Sequence, residues 1–279
     1  MKIITLNTHS LVEPDYEKKR ELLAQVIESE KPDILAMQEV NQTAMEEKMT
    51  VEELDGFVPC PGMSAPIRRD NHAAWLAKRL RENGLDYHWT WISAKMGYDK
   101  YDEGMALFSR RPMKEAEQFF ISRTHDYNNW KTRKVLGIQT DDETWFYTVH
   151  MGWWDDEEEC FADQWQVLET MIQVKKSVRK SVWLMGDFNS PAYERGRGYD
   201  MVCASGWQDT YKAARKRDEG CTVEKVIDGW RERPSTQGMR LDYIFSSRPE
   251  WVRSSQVICN GKNYEIVSDH YGVMIETEE

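Results

Sequence analysis

Short apolar runs recur along this chain, and each stops at a polar residue. Ile3-Ile4-Thr5-Leu6 ends at Asn7, and Ile34-Leu35-Ala36-Met37 ends at Gln38-Glu39. Trp145 to Val149 ends at His150, and Val182-Trp183-Leu184-Met185 ends in Gly186-Asp187-Phe188-Asn189. Continuous apolar runs, rather than strict alternation, fit strands of sheets covered on both faces. Further strand-like runs span Tyr87 to Ile92, Met105 to Ser109, Lys134 to Gln139, Arg240 to Phe245, Ser255 to Cys259 and Tyr271 to Ile275.

Helical patterns lie between these runs. Leu22, Leu23, Val26 and Ile27 make a buried stripe on a helix from Tyr16 to Glu30, with Pro32 marking its end. Asn71 is placed to cap a helix running to Asn83, and Gly84 to end it. Phe161, Trp165, Leu168 and Ile172 share one face of a third helix. Lys175, Lys176, Arg179 and Lys180 at its end read as a solvated terminus that complements the helix dipole. Residues 41–71, with Pro59, Pro61, Pro66 and Gly62, read as an irregular insertion. With no repeat and no linker, the expectation is a single α/β domain over 1–279. It should have two β-sheets packed face to face and helices outside.

Charge narrows the function. The 37 Lys and Arg stand against 48 Asp and Glu, a formal net charge of -11. Non-specific grip on a polyanion needs clustered cations. The balance argues against nucleic acid and for a small substrate, with a metal ion supplying positive charge. Five cysteines without CxxC spacing read as reduced thiols. The chain opens directly on a strand pattern, and no apolar run is long enough to span a bilayer. A cytoplasmic protein with no membrane role and no obligate protein partner is the expectation.

The residues at the ends of the runs suggest the chemistry. Rigid strands fix side chains where they hand over to loops. Glu39 is the leading ligand for a hard cation such as Mg²⁺, or alternatively Mn²⁺, with Asn7 and Asp269 assisting. In Gly186-Asp187-Phe188-Asn189, alternate residues Asp187 and Asn189 can both face a cleft. Asp187 suits the orientation or deprotonation of water, and Asn189 can donate to a phosphoryl oxygen. In Ser268-Asp269-His270 the histidine needs a carboxylate on its far nitrogen, and Asp242 is the candidate. The base is either Asp187 or the His270–Asp242 pair. Trp153 and Trp154 follow His150 and offer faces for a sugar ring, and Trp130, Lys131 and Arg133 are further candidate substrate contacts. His9, His72 and His88 read as structural.

Leu6-Asn7, Gln38-Glu39-Val40, Glu103-Gly104-Met105-Ala106, Val149-His150, Gly186-Asp187-Phe188-Asn189, Leu241-Asp242-Tyr243-Ile244 and Ser268-Asp269-His270 occur in this order. The ordered set resembles the motifs of the endonuclease/exonuclease/phosphatase (deoxyribonuclease-I-like) superfamily over essentially the whole chain. The resemblance implies a four-layer sandwich with two mixed sheets. It also implies two histidines each oriented by an acid, His150 by Glu103 and His270 by Asp242. His150 separates the chain from the abasic-site endonuclease branch, which has tyrosine there. Thr5-Leu6-Asn7-Thr8-His9-Ser10, Gly97-Tyr98-Asp99-Lys100-Tyr101-Asp102-Glu103-Gly104, His150-Met151-Gly152-Trp153-Trp154-Asp155 and Asp228-Gly229-Trp230-Arg231 resemble a bacterial subgroup that includes maltose 6'-phosphate phosphatase. The implied activity is Mg²⁺-dependent removal of phosphate from a phosphorylated sugar by direct water attack. The alternatives are a phosphodiesterase of nuclease or sphingomyelinase type, and a non-catalytic regulatory protein on the same scaffold.

Overall fold

The computed structural model describes residues 1–177, 180–224 and 238–278. Arg179 and Asp228-Gly229-Trp230-Arg231 lie outside the described residues. The first half of the chain forms β1 (Lys2–Asn7), α1 (Tyr16–Glu30), β2 (Ile34–Thr43), α2 (His72–Glu82), β3 (His88–Gly97), β4 (Tyr101–Ser109) and β5 (Met113–Phe120). The second half forms β6 (Lys134–Thr140), β7 (Trp145–His150), α3 (Phe161–Lys176), β8 (Val182–Asp187), α4 (Gly198–Ala204), β9 (Gln208–Asp209), α5 (Thr210–Ala213), β10 (Lys216–Arg217), β11 (Asp242–Ser246), β12 (Val252–Ile258) and β13 (Gly272–Thr277).

Two mixed sheets result. One is seven-stranded, in the order β10-β12-β13-β1-β2-β4-β3, and the other six-stranded, β5-β6-β7-β8-β11-β9. Their strands alternate faces, as the period of two requires. Ile3, Ala36 and Leu107 from the first sheet meet Leu136, Phe146, Met185 and Ile244 from the second in the central core. Their sequence neighbours Ile4, Leu35 and Phe108 point the other way, onto Leu23 and Ile27 of α1 and Leu76 and Leu80 of α2. Across the molecule, Tyr147, Leu184 and Phe245 pack on Phe161, Trp165 and Leu168 of α3. Apolar residues on both faces of each sheet thus produce the expected layers: helices, sheet, sheet, helices. No helix among the described residues is long and apolar enough to cross a membrane.

Two local expectations change. The run expected to stop at Gln38-Glu39 continues to Thr43, because its polar residues are buried and bonded rather than solvated. Gln38 Nε2 donates to Thr148 Oγ1 at 2.8 Å, and Gln42 Nε2 to Asp102 Oδ2 at 2.9 Å. The insertion is less irregular than its prolines suggest, with a bridge between Lys48 and Arg68 and another between Phe57 and Trp89. Asp242 starts an inner strand, since β11 lies between β8 and β9.

Candidate active site

Strand register lines up the first part of the site. His150 of β7 is opposite Asp187 of β8, and Asp187 is opposite Asp242 of β11. Three adjacent strand ends thus set three functional side chains in a row. Gly186 permits this approach. Its φ is +138°, and an added Cβ would lie 2.1 Å from the Val149 carbonyl oxygen.

The other sheet supplies Glu39 through a bulge. Gln38 pairs with Met105 and Val40 with Gly104, so Glu39 is the extra residue between them, at φ +50°. Such a bulge re-aims one side chain without ending the strand. Glu39 then meets the second sheet through Asn7. The Asn7 Nδ2 donates to Glu39 Oε1 at 2.8 Å and to Asp187 Oδ2 at 3.2 Å. Asn189, at φ +47°, closes the arrangement. Its backbone N–H donates to Asp187 Oδ1 at 2.8 Å, and its Nδ2 donates to the Met151 carbonyl at 3.0 Å.

These groups open into a cavity of about 390 Å³. Glu39, Glu103, His150, Asp187, Asn189 and His270 line it. His9 and Asp269 join them, as do the buried cations Lys95 and Arg133. Tyr98, Trp130 and Trp153 add aromatic surface.

The two histidines differ. His270 Nδ1 bonds Asp242 Oδ2 at 2.9 Å, and its Nε2 lies 3.8 Å from Asp187 Oδ2. Burial alone would lower its pKa, but the charges of Asp242 and Asp187 outweigh burial and hold it well above the ordinary value. His150 Nε2 is 3.7 Å from the same Asp187 oxygen. Burial, with Arg133, Lys95 and His270 adding positive charge, holds its pKa well below the ordinary value. Burial also pushes Asp187 up to about 7; His270 opposes this and Asp242 adds to it. Glu39 is raised by burial and then by Glu103.

Most expected residues therefore converge, and some do not do so in the expected way. The Glu103–His150 bond is absent. Glu103 Oε1 lies 4.0 Å from His150 Nδ1 because it accepts from Lys95 Nζ at 2.6 Å. Asn7 turns its amide nitrogen toward the carboxylates, while its Oδ1 accepts from the His9 backbone N–H at 3.2 Å. Trp153 lines the cavity, whereas Trp154 packs between core residues under the Arg197 guanidinium. Arg133 lines the cavity with its Nη1 donating to the Trp130 carbonyl, but Lys131 is held by Asp156 and Glu158. His72 and His88 stay outside the cavity lining, as expected of structural residues; His9 does not.

Among the described residues, two groups have ligand atoms close enough for a cation, within 4.8 Å of one another: Asp187, Asp242 and His270, and separately His9, Glu13 and Asp269. The residues missed in the sequence are His9, Glu13, Lys95 and Tyr98. None of them ends an apolar run; His9 and Tyr98 fall inside segments that carry the subgroup resemblance, but nothing in those segments singles them out.

Similar proteins give the context. A family protein from Leptotrichia buccalis C-1013-b is 32% identical, with a TM-score of 0.86 and complete coverage of both chains. A mannosyl-6-phosphatase from Bacteroides thetaiotaomicron VPI-5482 is 18% identical with a TM-score of 0.68, again over the whole of both chains. A 3' phosphatase from Neisseria, solved with a product DNA hairpin, is 18% identical with a TM-score of 0.62 over the whole of both. No curated protein matches the chain. The model of the Endonuclease/Exonuclease/phosphatase family matches residues 4–270, and the chain belongs to that family, whose members are generally phosphoester hydrolases.

Proposed function

We propose that this protein is a divalent-cation-dependent phosphomonoesterase that removes phosphate from a phosphorylated sugar such as maltose 6'-phosphate. One observation carries this reading. Carboxylate, amide and imidazole groups from both sheets meet in one concave site of small-molecule size with aromatic surface beside it. The net charge of -11 opposes a polyanionic partner. The name of the Bacteroides neighbour, a mannosyl-6-phosphatase, agrees with a sugar phosphate.

The donor set fits Mg²⁺, with Mn²⁺ as the alternative. Glu39 and Asp269 offer hard oxygen ligands, and a cation offsets the burial and the Glu103 repulsion that raise the Glu39 pKa. Asn7 assists by holding Glu39 and Asp187 through one amide group. When bound, the ion supplies neutralisation of charge on the phosphoryl group.

The protein groups do the rest. Asp187 is the base for the attacking water, because its Oδ2 stands at the centre of the row and its pKa of about 7 suits proton transfer at neutral pH. His270 is a cation fixed by Asp242, so it stabilises negative charge on a phosphoryl oxygen rather than accepting the proton. His150, neutral, and Asn189 hold the remaining phosphoryl oxygens. Arg133 and Trp153 contact the substrate from the cavity wall.

Phosphate release from hexose and disaccharide 6-phosphates, 3'-phosphorylated DNA and sphingomyelin tests this, each with Mg²⁺ and with EDTA. The expected result is turnover of a sugar phosphate that EDTA abolishes. A preference for DNA or sphingomyelin would overturn the substrate. Turnover of no phosphoester would favour a non-catalytic scaffold.

A further inference from the structure

Resting on the phosphomonoesterase reading, we propose that His9 and Tyr98 form a leaving-group subsite that recognises the hydroxyl-bearing alcohol next to the scissile ester oxygen. Both residues line the cavity that holds Asp187. The mechanism above uses neither.

The pair is built, not incidental. His9 Nδ1 bonds Glu13 Oε1 at 2.7 Å, and His9 Nε2 meets the Tyr98 hydroxyl at 3.1 Å. Glu13 is buried and is itself held by Lys19 Nζ and by the Asp269 backbone N–H, the latter at 3.0 Å. The imidazole is therefore anchored at Nδ1 and in turn fixes the Tyr98 hydroxyl through Nε2, at the cavity wall that both residues line. A carboxylate on the far nitrogen is the arrangement that orients a functional histidine.

Backbone conformation supports the same conclusion. His9 and Ser10 are consecutive non-glycine residues at φ +46° and +38°. Tyr98 and Asp99, facing them, are at +52° and +52°. The second pair forms the tight turn between β3 and β4, closed by Lys100 N–H donating to the Gly97 carbonyl at 3.1 Å. Turns with two positive φ values favour Asn and Gly, not Tyr. Left-handed residues against local preference cluster at ligand sites. Here two such turns meet in a single hydrogen bond.

The location suits a departing alcohol. Asp187 is surrounded by Asn7, His150, His270 and Asn189. His9 belongs to the separate group with Glu13 and Asp269. Glu39 adjoins both, bonded to Asn7 and perturbed by the charge of His9. In-line displacement places the attacking and leaving oxygens on opposite sides of phosphorus. With water at Asp187, the departing alcohol faces another wall. A ring nitrogen beside a phenol hydroxyl can both give and accept hydrogen bonds, which matches neighbouring sugar hydroxyls and not an aryl group.

The test compares kcat/KM for a sugar 6-phosphate and for p-nitrophenyl phosphate, using the full chain with Mg²⁺. His9→Gln and Tyr98→Phe should each lower the sugar-to-aryl ratio, by about 10-fold or more for a lost polar contact. Tyr98→Phe removes a single oxygen, so it decides the matter if His9→Gln perturbs the fold. An unchanged ratio would overturn the subsite. So would an equal loss on both substrates together with a shifted Mg²⁺ dependence, which would instead mark His9, Glu13 and Asp269 as a cation site. If the unaltered protein releases phosphate from neither substrate, the phosphomonoesterase reading itself fails; if it acts on both and the ratio stays fixed, only the subsite does.

Discussion

His150 and His270 approach the same Asp187 oxygen, at 3.7 and 3.8 Å, yet they carry opposite charge preferences. His150 ends β7 and is half-buried, and His270 is buried just ahead of β13. The difference lies in what faces the far nitrogen. His270 has Asp242 at 2.9 Å, and no other donor among the described residues bonds that oxygen. His150 has Glu103 at 4.0 Å, and Lys95 has taken it. A carboxylate that is close in space orients a histidine only when no stronger donor holds it. An ammonium at 2.6 Å is such a donor, because charge-assisted bonds exceed neutral ones. In the proposed mechanism the two histidines thus divide the work: one carries positive charge, the other offers a neutral ring.

The largest effect should break this symmetry outright. His270→Gln is expected to lower kcat by about 10²- to 10⁴-fold, the range for a positioned proton or charge group. His150→Gln should cost roughly 10-fold less, since a neutral hydrogen-bonding side chain replaces a neutral ring. Steady-state phosphate release with both variants measures this. Equal losses would end the distinction.

Asp242→Asn comes next. It removes the partner of a buried imidazolium, and breaking such a pair destabilises by about 3–5 kcal/mol. Denaturant midpoints should show that loss. The corresponding Glu103→Gln should behave differently, because its partner is Lys95 and not His150. A double-mutant cycle sharpens the point. Lys95→Met and Glu103→Gln should couple by about 0.5–3 kcal/mol, as bonded neighbours do. His150→Gln and Glu103→Gln should couple less. A larger coupling in the second cycle would restore the symmetric pair that the sequence motifs imply.

What was legible in the sequence follows from how each residue is displayed. His150, Asp187 and the strand before them stand out because an apolar run stops there, and a stop in hydropathy is readable. The layers were legible for the same reason. Lys95 and Glu103 were harder, since β3 and β4 run past the apolar segments into Ser93 to Gly97 and Tyr101 to Gly104. Buried polar residues that satisfy one another look, in sequence, like the start of a loop. β5 reads as Met-Lys-Glu-Ala-Glu-Gln-Phe-Phe and is half-exposed at a sheet edge, so it has no apolar run at all. His9 and Tyr98 were hidden more deeply. The subsite proposed for them draws on left-handed turns at residues that do not favour them, and positive φ at a non-glycine residue leaves no trace in composition.

The smallest effect is in the pH dependence of stability, and its sign separates the two histidines. Each proton bound differently by the folded and unfolded chains changes stability by about 1.4 kcal/mol per pH unit. His270 has a raised folded pKa, so the folded chain holds its proton after the unfolded chain has lost it. Its contribution is fully present below the ordinary value of 6.5 and is lost as pH rises from there through the folded pKa. His150 has a depressed folded pKa, so the unfolded chain takes up the proton first. Its penalty is absent above 6.5 and grows as pH falls through that value toward the folded pKa. Stability curves of the cation-free protein and two variants should therefore diverge on opposite sides of that point. His270→Gln should flatten the alkaline limb relative to the parent, and His150→Gln the acid limb. Differences from the parent are the measurement, because Asp187, raised to about 7, adds its own slope to every curve. If both variants altered the same limb, the two rings would share one protonation state, and Lys95 would not be what separates them.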